Sequence, residues 1–224
     1  MGTNGNCSGC GDVCTGGKEC VEGICECPAG ETDSSGVCVA IIYSMYDIQT
    51  NAESTDCTYN GFVNVLNNAT FAPVIVVTPK FSASAALDGY YVMDLDVGGS
   101  TLSHGMAVVA EKLLATAFAP GDVISITDGD CYEYYCMTQI EINAAEKTGT
   151  DTVPPPAEIV LAVLENGGLN DAALSEEIEG LLVSIPATTI TAATSSDAKT
   201  WFEVGNGIHI DKQFNIQDFT PVTG

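Results

Sequence analysis

The chain has 224 residues, with 30 acidic side chains against six basic ones, all of them lysine, and a formal net charge of −24. Six scattered lysines cannot build the basic face that a phosphate-backbone binder needs, and the same deficit disfavours anionic membrane surfaces; no stretch reaches the roughly 18 unbroken apolar residues of a membrane-spanning helix. Hydrophobic residues make up 46% and charged ones only 16%, so the chain can bury a core, and much of its surface falls to Thr, Ser, Asn, Gly and Ala.

The first residues, Met1 to Cys7, carry neither the basic region nor the apolar region of a signal peptide, and Asn6 breaks the myristoylation pattern. The expectation is an added start after a removed leader, or exit by another route such as cell lysis. Residues 1–39 form a Cys/Gly-rich block with few core-forming side chains, holding seven of the ten cysteines. From residue 40 the composition becomes strand-like. Val39 to Ile48, Phe62 to Leu66, Val74 to Thr78 and Tyr90 to Val97 read as strands separated by turn formers. Tyr91 to Val97 alternates apolar and polar residues, as a half-buried strand does.

Met106, Val109, Ala110, Leu113, Leu114 and Ala117 then recur at helical spacing. This predicts an amphipathic helix near 104–118, with Ser103 as its N-cap and Pro120-Gly121 beyond its end. Strands are expected at Val123 to Thr127 and around Tyr132 to Ile142, with Asp128-Gly129-Asp130 as a turn between them. Gly149 to Pro156 reads as a rigid connection. A second helix is predicted near 171–183, capped by Asp171, with Leu174, Ile178, Leu181 and Leu182 on one face. Trp201 to Val204 and Ile208 to Ile210 flank Gly205-Asn206-Gly207, a strong hairpin signal. Phe214 to Phe219 supplies a last strand. The fold class expected is mainly β: a small disulfide-rich module over 1–39, then a β-sandwich-like domain over 40–224 with two amphipathic helices.

The cysteines are the most informative feature. Cys10, Cys14, Cys20, Cys25, Cys27 and Cys38 are separated by three, five, four, one and ten residues. Six cysteines allow fifteen pairings. Cys7-x-x-Cys10 and Cys25-x-Cys27 could instead supply four thiolates to zinc, although structural zinc sites favour two matched CxxC-type knuckles. Disulfides are the favoured reading, because thirty residues of Gly, Ser, Thr and Cys cannot bury enough surface to fold unaided. The single residue between Cys25 and Cys27, with Cys27-Pro-Ala-Gly and the later Gly36-Val-Cys38, resembles the EGF-like module over residues 10–38. That resemblance implies the pairs Cys10–Cys20, Cys14–Cys25 and Cys27–Cys38. It implies no calcium, because the acidic/amide triplet of calcium-binding versions is missing. Cys7, Cys57, Cys131 and Cys136 remain. The preferred arrangement is Cys131–Cys136 across a local kink, with Cys7–Cys57 tying module to domain.

Candidate chemistry is thin. His104 reads as a helix-start residue and His209 as an exposed strand residue; neither lies in a nucleophile elbow. Asp94 and Asp96 share a strand face and Asp128 and Asp130 are candidate calcium ligands, but no metal or cofactor is expected. Tyr132, Tyr134, Tyr135 and Trp201 could form a sugar-stacking platform or a buried and contacting strand. Asn6 and Asn68 match the N-glycosylation acceptor. The reading that follows is a non-enzymatic structural subunit of an extracellular assembly. A virion component (a tail-tube or capsid-decoration protein) or a filament subunit would suit it, with copies of itself and neighbouring assembly proteins as partners. It binds no nucleic acid and inserts in no membrane. The alternative is a secreted or cell-surface binding module recognising a glycan or protein.

Overall fold

The computed structural model describes residues 13–28, 31–51, 62–97, 102–112, 118–134, 137–159, 177–186, 189–196, 199–204 and 208–211. The chain divides into two compact units, Met1–Tyr43 and Ser44–Gly224. The mainly-β class holds in both.

The N-terminal unit contains two hairpins. Strands β1 (Glu19–Val21) and β2 (Ile24–Glu26) form one; β3 (Glu31–Ser34) and β4 (Val37–Ala40) form the other, and β5 (Ile42–Tyr43) follows. Each hairpin turns on two left-handed residues, Glu22-Gly23 (φ 49° and 89°) and Ser35-Gly36 (φ 55° and 89°). Paired positive φ values are those of the type I′ loop, whose twist matches its strands. Cys14–Cys25 and Cys27–Cys38 are disulfides, and Cys20 is disulfide-bonded as well. Most of the unit's described side chains are exposed or half-exposed. The cross-links therefore replace the core that so short a chain cannot build.

The second unit opens with helix α1 (Met45–Asn51). Val39 to Ile48 is thus not one strand. Ser44 and Asp47 form a reciprocal cap: the Ser44 Oγ accepts from the Asp47 N–H at 3.0 Å, and the Ser44 N–H donates to Asp47 Oδ2 at 3.1 Å. Then come β6 (Phe62–Phe71), β7 (Val74–Val76), β8 (Phe81–Ser82), β9 (Leu87–Asp94), β10 (Gly105–Glu111), β11 (Asp122–Tyr134) and β12 (Thr138–Thr150). Five of these close on themselves. β7 pairs β9, and β9 pairs β10, both antiparallel. β10 runs parallel to β12, β12 is antiparallel to β11, and β11 returns to β7. Around the ring the order is first, second, third, fifth, fourth. It is a five-stranded Greek-key barrel, the architecture shared by OB-fold domains. β6 adds to the far half of β11, and β8 to the start of β9.

The interior is filled by Phe71, Val74, Val76, Tyr90, Val92, Met106, Val108, Ile124, Ile126 and Ile140, each 2% exposed or less. A second apolar layer lies outside the ring, where Ile75, Val77 and Met93 pack with Tyr91, Val97, Val153, Leu181 and Leu182. The structure corrects three expectations. Met106 to Ala110 is strand, not helix: all of Gly105 to Ala110 is buried, so the run is apolar on both faces and its helical spacing is coincidental. Residues 113–117 and 171–176 lie outside the described residues. Of the second expected helix, residues 177–178 are helical, whereas 179–182 are not and β14 (Val183–Ser184) runs parallel to β13 (Ala157–Glu158). Asp128-Gly129 is a bulge inside β11, not a turn between strands, since the β11–β12 register slips on both sides of Asp128. Such bulges coil a strand enough to close a barrel.

A last sheet holds β15 (Ile190–Ser196), β16 (Lys199–Val204) and β17 (Ile208–Asp211). Val204 pairs with Ile208, as the Gly-Asn-Gly signal requires. The expected strand at 214–219 lies outside the described residues.

Candidate functional site

The β1/β2 hairpin presents a small, well-defined face. Its register sets Glu19 opposite Glu26, Cys20 opposite Cys25 and Val21 opposite Ile24. Successive strand residues point to opposite sides. The half-buried Cys20 and Cys25 therefore share the inner side, and Glu19, Val21, Ile24 and Glu26 share the outer one. Ile24 is 62% exposed and Val21 45%. Two carboxylates thus face each other across the strands, beside an uncovered aliphatic pair. Like charges directly opposite in a sheet are destabilising. The disulfide Cys14–Cys25, anchored behind this face, holds the arrangement together. Elsewhere in the unit, the Lys18 ammonium contacts the Asp33 carboxylate, which also accepts from the Gly36 N–H at 2.7 Å. These two contacts, the lysine first, hold the Asp33 carboxyl below its ordinary range.

Of the ten cysteines, Cys14, Cys20, Cys25, Cys27 and Cys38 are bridged. Cys131 is fully buried in β11. Cys7, Cys10, Cys57 and Cys136, with the glycosylation candidate Asn6, lie outside the described residues. Asn68 lies in β6.

His104 does not start a helix. It precedes β10, after Ser103 at φ 61°. Its Nδ1 lies 2.9 Å from Asp94 Oδ2, and its ring stacks on Tyr46 at 4.9 Å. The same buried carboxylate accepts from the Met45 N–H at 2.9 Å and the Tyr46 N–H at 3.0 Å. Gln49 Nε2 donates to the Gly105 carbonyl at 3.1 Å. This cluster fastens α1 to β9 and β10. Asp94 is engaged by these donors, whereas Asp96, two residues on, is exposed.

Asp128 and Asp130 flank Asn143, whose Nδ2 reaches Asp130 Oδ2 at 3.1 Å and Asp128 Oδ1 at 3.5 Å. Among the described residues no group of three or more metal-ligating side chains converges. Tyr132 is buried, donating to Glu141 Oε2 at 3.2 Å. Burial first, then the Glu141 charge, pushes its phenol far above the ordinary range. It therefore cannot serve in an exposed sugar-stacking platform. The side chains of Tyr134, Tyr135, Trp201 and His209 lie outside the described residues.

The β1/β2 face is not evident from the sequence. Its signal is nonetheless present in Glu22-Gly23, an X-Gly pair between short β-formers. The fold defines a class: a disulfide-stapled unit and a closed Greek-key barrel in one mainly-β chain. No protein-family model matches this sequence, and a search of curated proteins returns no match.

Proposed function

We propose that this chain is a non-enzymatic extracellular binding module whose N-terminal unit carries the recognition surface. One observation carries the reading. Val13, Val21, Ile24, Val37, Val39 and Ile42 are all exposed large hydrophobics of the N-terminal unit, against four in the larger unit, Tyr46, Leu95, Leu102 and Val183, among the described residues. Concentrated exposed apolar surface marks interaction sites. The disulfides fit an oxidising compartment, and no helix among the described residues is long and apolar enough to cross a membrane. The unit is read as EGF-like, a reading supported by Cys14–Cys25 and Cys27–Cys38, two of the pairs that the resemblance implies.

The barrel is the weaker candidate for the contact. OB-type barrels bind oligomers on their second and third strands. Here the second strand, β9, is packed through Met93 and Tyr91 by the chain's own Val153, Leu181 and Leu182. A protein partner is favoured over a glycan, because Tyr132 is buried.

The second reading is a repeating subunit of a virion or filament. It is favoured by the outer half of β12, residues 143–150, which pairs only with β11 among the described residues. An edge of this kind invites strand addition. Its Asn143, Glu146 and Lys147 are exposed, however, and exposed charge on an edge discourages such addition. Sedimentation velocity on the native, unreduced protein separates the two readings. A monomer is expected. Rings, tubes or shells would overturn the binding reading in favour of assembly.

A further inference from the structure

We infer that the outer face of the β1/β2 hairpin takes a basic polypeptide segment that alternates cationic and aliphatic side chains. The inference rests on the binding-module reading and names the partner's chemistry. Glu19 and Glu26 stand opposite each other, and Val21 and Ile24 stand opposite each other further along the same face. A guanidinium or ammonium placed between the two carboxylates would relieve their repulsion and gain two charge-assisted hydrogen bonds. An aliphatic side chain two residues along the partner would then cover Val21 and Ile24, which are 45% and 62% exposed. Glu22, at the loop, extends the same sign of charge.

Among the described residues the chain leaves no lysine over to supply the complementary charge. The four lysines with described side chains are already held by aspartates: Lys18 by Asp33, Lys80 and Lys112 by Asp88, and Lys147 by Asp122. A second copy would bring the same acidic face and a net charge of −24, so self-docking through this face is repulsive. Nucleic acid is repelled for the same reason.

The test is an NMR titration of the unreduced full-length chain. The probe is an acetylated, amidated peptide of sequence Gly-Arg-Leu-Arg-Leu-Gly, with its Arg-to-Glu counterpart as control. Saturable amide shifts are expected across residues 19–26 with the basic peptide only, weakening as salt rises. Glu19→Gln with Glu26→Gln should weaken binding about tenfold, through two lost charge contacts. This variant also relieves a repulsion, so its melting temperature should equal or exceed that of the parent. Val21→Ser with Ile24→Ser should weaken binding as well. Equal binding by the Glu19/Glu26 variant would overturn the inference. So would shifts at residues 19–26 from calcium chloride alone at the peptide's concentration, or no saturable shifts in the parent. Each of these outcomes can occur with a monomer, leaving the binding-module reading intact. Large assemblies in sedimentation would remove that reading instead.

Discussion

Asp94 shows how one side chain ties several levels of the structure together. It is 4% exposed, and it accepts from two backbone N–H groups at the start of α1 and from His104 Nδ1. Replacing it with alanine leaves one buried donor and two part-buried ones without their acceptor. Each such loss costs about 1–3 kcal/mol, and partial access of water to the site reduces the sum. Asp94→Ala should therefore destabilise the barrel unit by about 3–4 kcal/mol in urea unfolding. A loss under about 1 kcal/mol would show that α1 is held by packing alone. Asp122 gives a prediction of opposite pH character to a histidine switch. Its carboxylate takes Lys147 Nζ at 2.5 Å and the Ala119 N–H at 3.0 Å, and its carboxyl sits below the ordinary range, chiefly through the lysine. A carboxyl lowered on folding adds stability that is complete above its unfolded value, about pH 4, and is lost as pH falls through its lowered folded value. Asp122→Asn should therefore cost about 1 kcal/mol at pH 7 and almost nothing near pH 2. Denaturation at both pH values checks this, and an equal cost at both would assign the effect to packing.

At the level of elements, Gly180 is a joint that the barrel's outer layer depends on. Its φ is 67°, and a Cβ there would lie 2.7 Å from the Met106 Cα. Neither the left-handed backbone nor the space accepts a side chain, and the obstacle is β10 backbone. Gly180→Ala should cost more than about 1 kcal/mol and should raise hydrogen exchange at Ala157 and Ile159, whose N–H groups donate to Leu182 and Ser184. Unchanged exchange there would show that the crossing adjusts locally. The same elements show what a reader of the sequence can and cannot see. The hairpin of β16 and β17 was legible because turn chemistry acts locally, and the pairs Cys14–Cys25 and Cys27–Cys38 are ones that the EGF-like resemblance implied, cysteine spacing alone leaving fifteen pairings open. Met106 to Ala110 was not legible. A strand buried on both faces has no period-two signature, so apolar residues at helical spacing mimic a helix. Asp128-Gly129 carried the composition of a turn, but whether such a pair ends a strand or bulges within it depends on what closes the barrel. The split of Val39 to Ile48 depended on Ser44 and Asp47 acting as a cap, a signature that the strand-like run around them conceals. The β1/β2 face was invisible for a different reason: which four side chains share it follows from register, and register was set by Glu22-Gly23.

Across the whole molecule, the two units rest on different physics. The N-terminal unit relies on cross-links; the larger one relies on burial. Each of Cys14–Cys25 and Cys27–Cys38 closes a separation of 11 residues, an interval for which a bridge contributes about 2–3 kcal/mol. Reduction at neutral pH should therefore release amide protection across β1 to β4 while the buried amides of β9 and β10 stay protected. Loss of protection in both units together would show that they fold as one. The net charge of −24 acts on the chain as a whole, and salt decides how much it matters. At low ionic strength the Debye length is about 30 Å, long enough for carboxylates across the surface to repel one another; at about 0.15 M it is about 8 Å. Screening also weakens the four lysine–aspartate attachments, so the two effects oppose each other. With 30 acidic groups and only six basic ones, repulsive pairs outnumber attractive ones by far. Repulsion should therefore dominate. Raising sodium chloride from about 0.01 M to about 0.15 M should raise the melting temperature of the unreduced protein by about 2–4 °C, equivalent to about 1 kcal/mol for a chain of this size. A fall over the same range would mean that the few short ion pairs contribute more to the folded state than the acidic excess takes from it.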